Sequence, residues 1–546
     1  MRTDRSALFL SVSLSVYALS LFWFAYVFLN GLMDSALFFN SDSLFLPSIF
    51  KNIFSEGKHF SDWLLPPQPF LFPDALLYAL AYILNKHVAT QILIFAILQS
   101  LTFFSLSSAL LNFFLRRIDA IAYSALISAN IIFIGLYSTD PYALSFISVF
   151  HFGGILSFLL LAMLWLKFLT APTTKVRVYV GIFSAFIAVC SIISDHLILL
   201  HFVGPILLIG IFFYCTGSKN KYILKFWIFL IIGFLLAYVL QKLFLPGMGR
   251  LDYEIGFGSL PDKSLMLANW AINKPLLIQL TLLALPITLF IALIFLKRNR
   301  NSADPCVVQK SLLASLFIVS TALALLVTGL SNRDFTPRYL LPYFFLPPLF
   351  LFIFLSEKWS RLLAFAVFCS SLSAVFAANG KERTTYTLYP GVVRCVDALA
   401  QKYSVSRGIA QYWDAIPIYL FSNAGLNVVP VLNDGSPMRW MYNSSEFAGK
   451  FSFAIIDNSA SGFYLISRKV IEKQLSKKPF EYQCFDKTVL IFNNETISLP
   501  QQSDVSNIRN SALESFVENP RALLIMAREE SEKGNREAAT RLLQKR

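Results

Sequence analysis

The chain has 546 residues, of which 56% are hydrophobic and only 14% are charged, and its formal net charge is +14. Repeated runs of about 20 apolar residues are typical of transmembrane helices, so the composition excludes an ordinary soluble protein. The basic residues form no concentrated stripe, so the sequence gives little support for a nucleic-acid-binding function.

Apolar runs recur along the first 380 residues and predict eleven membrane-spanning helices. The predicted spans lie near residues 6–30, 88–115, 118–136, 147–166, 177–194, 197–215, 222–243, 275–296, 311–330, 339–356 and 362–378. The first run is long and continuous and no small-residue cleavage site follows it, so we interpret it as an uncleaved anchor. Residues 70–84 are apolar but short, which favours a re-entrant or interfacial helix. The expected fold class is a polytopic α-helical membrane protein of about eleven transmembrane helices, followed by a C-terminal extracytoplasmic α/β domain and a helical tail.

Lysine and arginine residues collect in alternate turns between these runs, for example at Arg116, Lys175 and Lys297. The positive-inside rule places such turns, and the N-terminus, in the cytoplasm. The remaining loops and everything after the eleventh span are then expected outside. If residues 70–84 crossed the membrane completely, every later loop would face the opposite side, against the charge rule.

The composition changes near residue 380, which predicts three regions. Residues 1–380 form a transmembrane domain with a first outer loop at 31–87, and residues 381–500 form an extracytoplasmic α/β domain. In the second region, helices are predicted at 392–403 and 467–475, strands at 426–432 and 451–457, and a pair of short strands in FEYQCF and TVLIFN. Residues 501–546 resemble one tetratricopeptide-like helical hairpin, which should dock on a neighbour because a single unit cannot bury its own apolar face.

Cysteine spacing indicates no zinc site, because none of the six cysteines forms a Cys-x-x-Cys pattern or a Cys/His zinc pattern. Cys395 and Cys484 both fall in the predicted outer domain, where disulfides are able to form. They can pair if their Cα atoms approach within about 7 Å.

Three carboxylates lie in the first outer loop. Asp42 follows the first span in Asn40-Ser41-Asp42-Ser43, and Asp62 and Asp74 lie in the proline- and tryptophan-rich stretch SDWLLPPQPFLFPD. Prolines prevent a continuous helix there, and irregular backbone near a membrane is tolerated where protein or a water-filled cavity covers it. A carboxylate at the membrane surface can act as a general base or a metal ligand. The alternative, a structural loop that caps the helices, stays open.

Other outer ends contain Asp140, Asp195 and His196. Asp195 lies between two closely spaced spans, where an unpaired charge is costly and needs a partner or a function. These residues are candidates for acceptor or metal contact, with helix capping by Asp195 as the alternative. The loop 244–274 is glycine-rich but matches no phosphate-binding motif.

The segment SNRDFTPRYLLP places Arg333, Arg338 and Tyr339 at the outer entrance of the tenth predicted span. A guanidinium held beside Pro337 presents planar donors that suit a phosphate group. An arginine that only reached for lipid headgroups would be expected at the inner side by the charge rule. The pattern therefore favours phosphate binding.

An acid just after the first span, many spans, an Arg-Tyr-x-x-Pro motif late in the chain and an outer α/β domain together resemble the GT-C superfamily of membrane glycosyltransferases. Its members include lipid A aminoarabinose transferases and protein O-mannosyltransferases, which take a sugar from a polyprenyl phosphate. The resemblance covers mainly residues 1–380. It implies that Asp42 acts as the base or a metal ligand and that Arg338 contacts the donor phosphate. The chain has Asp42-Ser43 where many relatives carry an Asp-Glu pair, which leaves metal use and the acceptor open.

The expected function is transfer of a sugar from a polyprenyl-phosphate donor to a lipid, glycan or protein acceptor at the outer membrane face. Asp42 would deprotonate or orient the acceptor, and Arg338 with Tyr339 would stabilise the leaving phosphate. A lipid-linked-sugar flippase and a non-catalytic envelope scaffold remain alternatives. No cofactor is identified, and a divalent metal ion stays open. The expected location is a bacterial inner membrane with the outer domain in the periplasm. In that domain, the segment 411–415 could present an aromatic surface to a sugar, or its tryptophan could belong to the hydrophobic core.

Overall fold

The computed structural model describes residues 2–137, 141–215, 221–245, 260–299, 302, 304–331, 336–379, 387–457 and 466–500. The chain divides into two compact units: Met1–Leu37 with Leu65–Thr385, and Phe38–Leu64 with Tyr386–Arg546. Three sequence predictions lie outside the described residues, namely Asp140, Arg333 and the helical tail 501–546, and so does the part 246–259 of the loop 244–274.

Nine helices in the described part of the first unit are long and apolar enough to cross a bilayer. They are Ser6–Leu29, Val88–Leu111, Arg117–Leu136, Phe152–Thr170, Thr174–Ser194, Tyr222–Phe244, Leu276–Arg298, Pro305–Leu330 and Glu357–Phe376. Each coincides with a predicted span and supports a multi-pass membrane protein. Two form the centre of the unit, because 83% of the apolar window of Arg117–Leu136 and 72% of that of Phe152–Thr170 are buried.

The other two predicted spans are shorter or interrupted. The span at 197–215 consists of the π-helical turn Leu199–Val203 and the helix Gly204–Cys215. The span at 339–356 is divided into Pro337–Leu340, Pro342–Phe345 and Pro347–Phe354. Each of these three pieces begins at a proline, which has no backbone N–H to continue the hydrogen-bond ladder of the preceding helix.

Further short helices connect these spans. They are Leu71–Ala75, Leu76–Leu84, Tyr142–Phe146 and Leu260–Ile272 in the first unit, and Ser35–Phe38 at the junction of the two units. The predicted interfacial segment 70–84 corresponds to the first two. At about 1.5 Å per residue, this segment is too short to cross a bilayer alone.

The second unit contains a five-stranded mixed sheet. Along the sheet the order is Asn427–Pro430, Arg407–Ala410, Phe453–Asp457, Lys487–Ile491 and Phe480–Cys484. The first three strands are parallel and the last two run antiparallel to their neighbours. The predicted strands at 426–432 and 451–457 and the predicted pair of short strands are therefore present, because continuous apolar runs of this length suit strands buried on both faces.

Helices flank this sheet at Gly391–Tyr403, Tyr412–Phe421 and Arg468–Glu472. The pairing that the sequence left open is present in the structure: Cys395 on the first helix bonds Cys484 at the end of an edge strand, with Cα atoms 5.8 Å apart. The bond closes a loop across 89 positions of sequence. It therefore ties the first helix of this region to its last strand pair.

The segment Phe38–Leu64 groups with the second unit, whereas the sequence analysis placed it in the transmembrane domain as part of the loop 31–87. It contains the helical pieces Phe45–Phe50, Lys51–Ser55 and Phe60–Asp62. Its last two residues pair with a strand of the second unit, Trp63 with Asn443 and Leu64 with Tyr442. Asn52 accepts hydrogen bonds from the Trp63 indole at 3.0 Å and from the Asn443 amide at 2.6 Å. The contacts with Tyr442 and Asn443 connect residues nearly 400 positions apart, so no local pattern predicts them.

Candidate functional site

The first group of candidate residues surrounds the start of the buried helix Phe152–Thr170. His151 precedes this helix in the left-handed backbone conformation, with φ 68°. Its imidazole Nδ1 lies 2.8 Å from Oδ2 of Asp195, and both side chains are about 5% exposed. Asp195 ends the next helix along the chain, Thr174–Ser194, and its other oxygen accepts a hydrogen bond from the Leu197 amide at 3.0 Å. The partner that the sequence analysis required for Asp195 is therefore His151.

Electrostatics favour the ionised form of Asp195. Burial raises the pKa of its carboxyl, but the charge and hydrogen bond of His151 outweigh this effect and hold the pKa below its usual value. Removing one member of a buried hydrogen-bonded pair leaves the other without compensation, which is strongly destabilising. The hydrogen bond between Nδ1 of His151 and Asp195 therefore fixes the orientation of the imidazole ring.

A second buried carboxylate, Asp74, reaches the same helix start from the segment Leu71–Ala75. Two hydrogen bonds anchor this segment to Ser194: the Phe70 amide donates to its carbonyl at 3.1 Å and the Phe72 amide to its hydroxyl at 2.8 Å. Asp74 is 2% exposed. Burial and, to a lesser extent, the nearby charge of Asp195 raise the pKa of Asp74 to about 7. Near neutral pH this carboxyl therefore carries a proton part of the time.

Gly153 makes the close approach of Asp74 to the helix possible. A Cβ atom placed on Gly153 would lie 1.8 Å from Oδ2 of Asp74, a distance that no side chain tolerates. One on the next residue, Gly154, would lie 3.1 Å from Oδ2 of Asp195. The two glycines therefore leave room for two carboxylates at the positive end of a helix dipole.

Arg338 and Tyr339 belong to this group through ring contacts. The Tyr339 ring meets the His151 ring edge-on at 5.5 Å between centroids. The Arg338 guanidinium lies 5.4 Å from the centre of the Phe150 ring and 5.7 Å from that of Tyr339. Its Nε atom is buried and has no hydrogen-bond partner among the described residues. A buried guanidinium nitrogen without an acceptor is costly, so this position is suited to an anionic ligand.

His196 is directed elsewhere, although it is adjacent to Asp195 in sequence. Its Nε2 faces the side-chain amide of Gln241, with 3.0 Å to the amide nitrogen. His201 in the next helical turn is buried and meets the Tyr343 hydroxyl at 2.9 Å. Neither contact involves an acidic side chain.

Asp42 and Asp62 lie in the second unit. The Asn40 side chain accepts hydrogen bonds from the amides of Asp42 and Ser43, at 2.9 and 3.1 Å, so this turn is closed by its own asparagine. The Tyr412 hydroxyl donates to Oδ1 of Asp42 at 2.9 Å. Asp62 ends a short 3-10 helix, and its backbone carbonyl accepts from the Ser444 hydroxyl at 2.8 Å.

A buried lysine neutralises carboxylates at the carboxyl end of the interior strand Phe453–Asp457. Nζ of Lys487 lies 2.6 Å from Asp457, 3.2 Å from Asp486 and 3.3 Å from Asp414. Burial lowers the pKa of Lys487, but the three carboxylates outweigh burial and raise it above its usual value. Trp413, one residue before Asp414, is half-buried and packs edge-on against Tyr412. The cluster is an ion-pair network that connects this end of the sheet to the helix Tyr412–Phe421.

Among the residues that the structure describes, no group of three or more histidine, cysteine, aspartate or glutamate side chains is arranged to hold a metal ion. The divalent ion left open by the sequence therefore stays a prediction, and no chemical step below depends on it.

The structure thus brings four of the predicted residues, Asp74, Asp195, Arg338 and Tyr339, into one group in the first unit. Sequence reasoning missed His151, which connects Asp195 to Tyr339. A histidine two residues before a pair of glycines, at the start of an apolar run, was the available signal. Tyr412 was considered only as part of an aromatic platform, and its contact with Asp42 has no local signal.

No protein-family model and no curated protein matches this chain. The resemblance to GT-C glycosyltransferases stays a prediction that the residues themselves must support.

Replacing Gly153 with alanine should lower stability by about 1–3 kcal/mol, because the new methyl group displaces the Asp74 carboxylate. Thermal melting of the purified protein in detergent measures this loss. In the Asp74→Ala background the carboxylate that the new methyl group would meet is absent, so Gly153→Ala should lower the stability much less there. An equal cost in both backgrounds would show that the Asp74 contact is not its cause.

Proposed function

We propose that this protein is a membrane glycosyltransferase that moves a sugar from a polyprenyl-phosphate donor to an acceptor at the extracytoplasmic face. The observation that supports this most directly is Arg338. No described carboxylate pairs with its guanidinium, and its Nε is buried without an acceptor. A donor phosphate would supply the missing acceptor oxygens in a planar, two-bond geometry.

Asp42 is the proposed base. In the reaction, an acceptor hydroxyl oxygen forms a bond to the anomeric carbon of the sugar while the bond from that carbon to the phosphate oxygen breaks. The hydroxyl proton passes to Asp42, and the electron pair leaves with the polyprenyl phosphate. General-base catalysis of this kind contributes about 10²–10⁴-fold.

Arg338 and Tyr339 are proposed to stabilise the phosphate as its negative charge develops. The His151–Asp195 pair supports this role because His151 packs edge-on against the Tyr339 ring. Arg333, five residues before Arg338, remains a further candidate for the same phosphate. Asp74 and Asp195 remain candidates for acceptor contact.

Two observations support placing the second unit outside the cytoplasm. The Cys395–Cys484 disulfide is of a kind that persists in oxidising compartments. The basic turns of the first unit also fit the cytoplasmic side by the charge rule. A bacterial inner membrane with this unit in the periplasm is the proposed location.

Sugar transfer in vesicles loaded with a radiolabelled polyprenyl-phosphate sugar tests the proposal. Asp42→Asn should lower the transfer rate at least about 10²-fold, because the amide cannot take the acceptor proton. The control Asp262→Asn changes an exposed carboxylate and should leave the rate unchanged.

Wild-type protein that moved lipid-linked sugar across the bilayer without transferring it would instead identify a flippase. Near-normal transfer by Asp42→Asn at wild-type protein levels would exclude Asp42 as the base.

A further inference from the structure

Two segments of the second unit meet at Asp42. The Tyr412 hydroxyl donates to Oδ1 of Asp42 at 2.9 Å, although the two residues are 370 positions apart. A second bond joins the same segments, from the Ser41 hydroxyl to the Tyr412 carbonyl at 2.6 Å. The Tyr412 side chain therefore holds the carboxylate itself, and the Tyr412 carbonyl holds the neighbouring Ser41.

Both ends of this link are fixed by their own surroundings. Tyr412 is 1% exposed and is the first residue of the helix Tyr412–Phe421. The Gln411 side chain caps that helix by accepting from the Trp413 amide at 3.1 Å. On the other side, Asn40 holds the amide of Asp42. Neither partner can reorient without breaking further hydrogen bonds.

Tyr412 also lies just beyond the carboxyl end of an interior strand of the sheet. It follows the strand Arg407–Ala410, which lies between Asn427–Pro430 on one side and Phe453–Asp457 on the other. The next strand in sequence, Asn427–Pro430, pairs on one side of Arg407–Ala410, and the later strand Phe453–Asp457 pairs on its other side. The direction in which strands are added to the sheet therefore reverses at Arg407–Ala410. In α/β sheets, ligands bind outside the carboxyl ends of the strands at such a reversal.

We propose that Tyr412 is a positioning residue that holds the Asp42 carboxylate at this reversal point and favours its ionised form. The inference rests on the proposed function, in which Asp42 takes the acceptor proton. A hydrogen bond donated to a carboxylate stabilises the charged form over the neutral one. The ionised form is the one that can act as a base.

Tyr412→Phe removes only the donating oxygen. It should lower kcat for sugar transfer about 10-fold and leave the KM for the donor within about twofold, because hydrogen bonds to charged groups are among the stronger ones. In the Asp42→Asn background the same change should cause no further loss, since the residue acts through Asp42.

Tyr442→Phe is the matched control. Tyr442 is buried in the same unit, and its hydroxyl donates to the Val428 carbonyl at 3.2 Å. This variant should keep the wild-type kcat. An equal loss in Tyr442→Phe, or a loss from Tyr412→Phe that persists in the Asp42→Asn background, would overturn the inference.

Carbodiimide labelling of Asp42, read by peptide mass spectrometry of the full chain, needs no transfer activity. Carbodiimide reacts with the protonated carboxyl, so Tyr412→Phe should increase labelling several-fold over wild type at the same pH, and Tyr442→Phe should not. Unchanged labelling overturns the role of Tyr412. Absence of sugar transfer by the wild-type protein would instead reject the proposed function, so the two failures are distinguishable.

Discussion

Replacing Arg338 with alanine should lower kcat/KM for sugar transfer by about 10²–10³-fold, because the leaving phosphate loses its charged hydrogen-bond donor. Arg338→Lys should recover part of this loss, since lysine keeps the charge but not the planar pair of donors. The measurement is transfer from a radiolabelled polyprenyl-phosphate sugar in vesicles, at matched protein levels.

Arg361→Ala provides the control for this experiment. Arg361 belongs to the same unit, but its side chain is exposed and pairs with Glu357 one helical turn away. Exposed pairs of this kind contribute about 0–1 kcal/mol, so activity should stay close to wild type. Full activity of Arg338→Ala would rule out phosphate binding by this residue, whereas equal losses in both variants would indicate a general effect of removing charge.

Loss of the Cys395–Cys484 disulfide should destabilise the second unit by about 2–5 kcal/mol, because the bond closes a long loop and limits the unfolded chain. For a region of this size the loss corresponds to a fall in melting temperature on the order of 10 °C. Thermal melting of Cys395→Ser, Cys484→Ser and the double variant in the full-length protein measures it.

Cys306→Ser is the matched control, because Cys306 is exposed and free. The melting temperature of this variant should equal that of the wild-type protein. A reductant should lower the melting temperature of the wild-type protein but not of the double variant. Identical melting of wild type and double variant would show that the disulfide does not stabilise the fold.

The candidate site could be predicted only in part. Asp195 and Arg338 were found because a charge in an apolar chain needs a partner or a ligand. The partner of Asp195 could not be named, because His151 is 44 positions away in sequence and meets it only when two helices are packed. The closeness of Asp74 to the start of the helix Phe152–Thr170 likewise depends on Gly153, because a side chain there would meet the Asp74 carboxylate. That requirement can be recognised only when the packing of the two segments is known.

The sequence by itself determined the nine long apolar helices and four of the five sheet strands in the described part of the chain, because both depend on runs of neighbouring residues whose apolar character is local. The fifth strand, Arg407–Ala410, is short and was not predicted. The sequence also showed that Cys395 and Cys484 could pair, and the structure decided that they do. Only the tertiary structure decided that Phe38–Leu64 belongs with the sheet and that Asp42 bonds Tyr412. Contacts between residues 370 positions apart depend on the path of the whole chain, and no local pattern records that path.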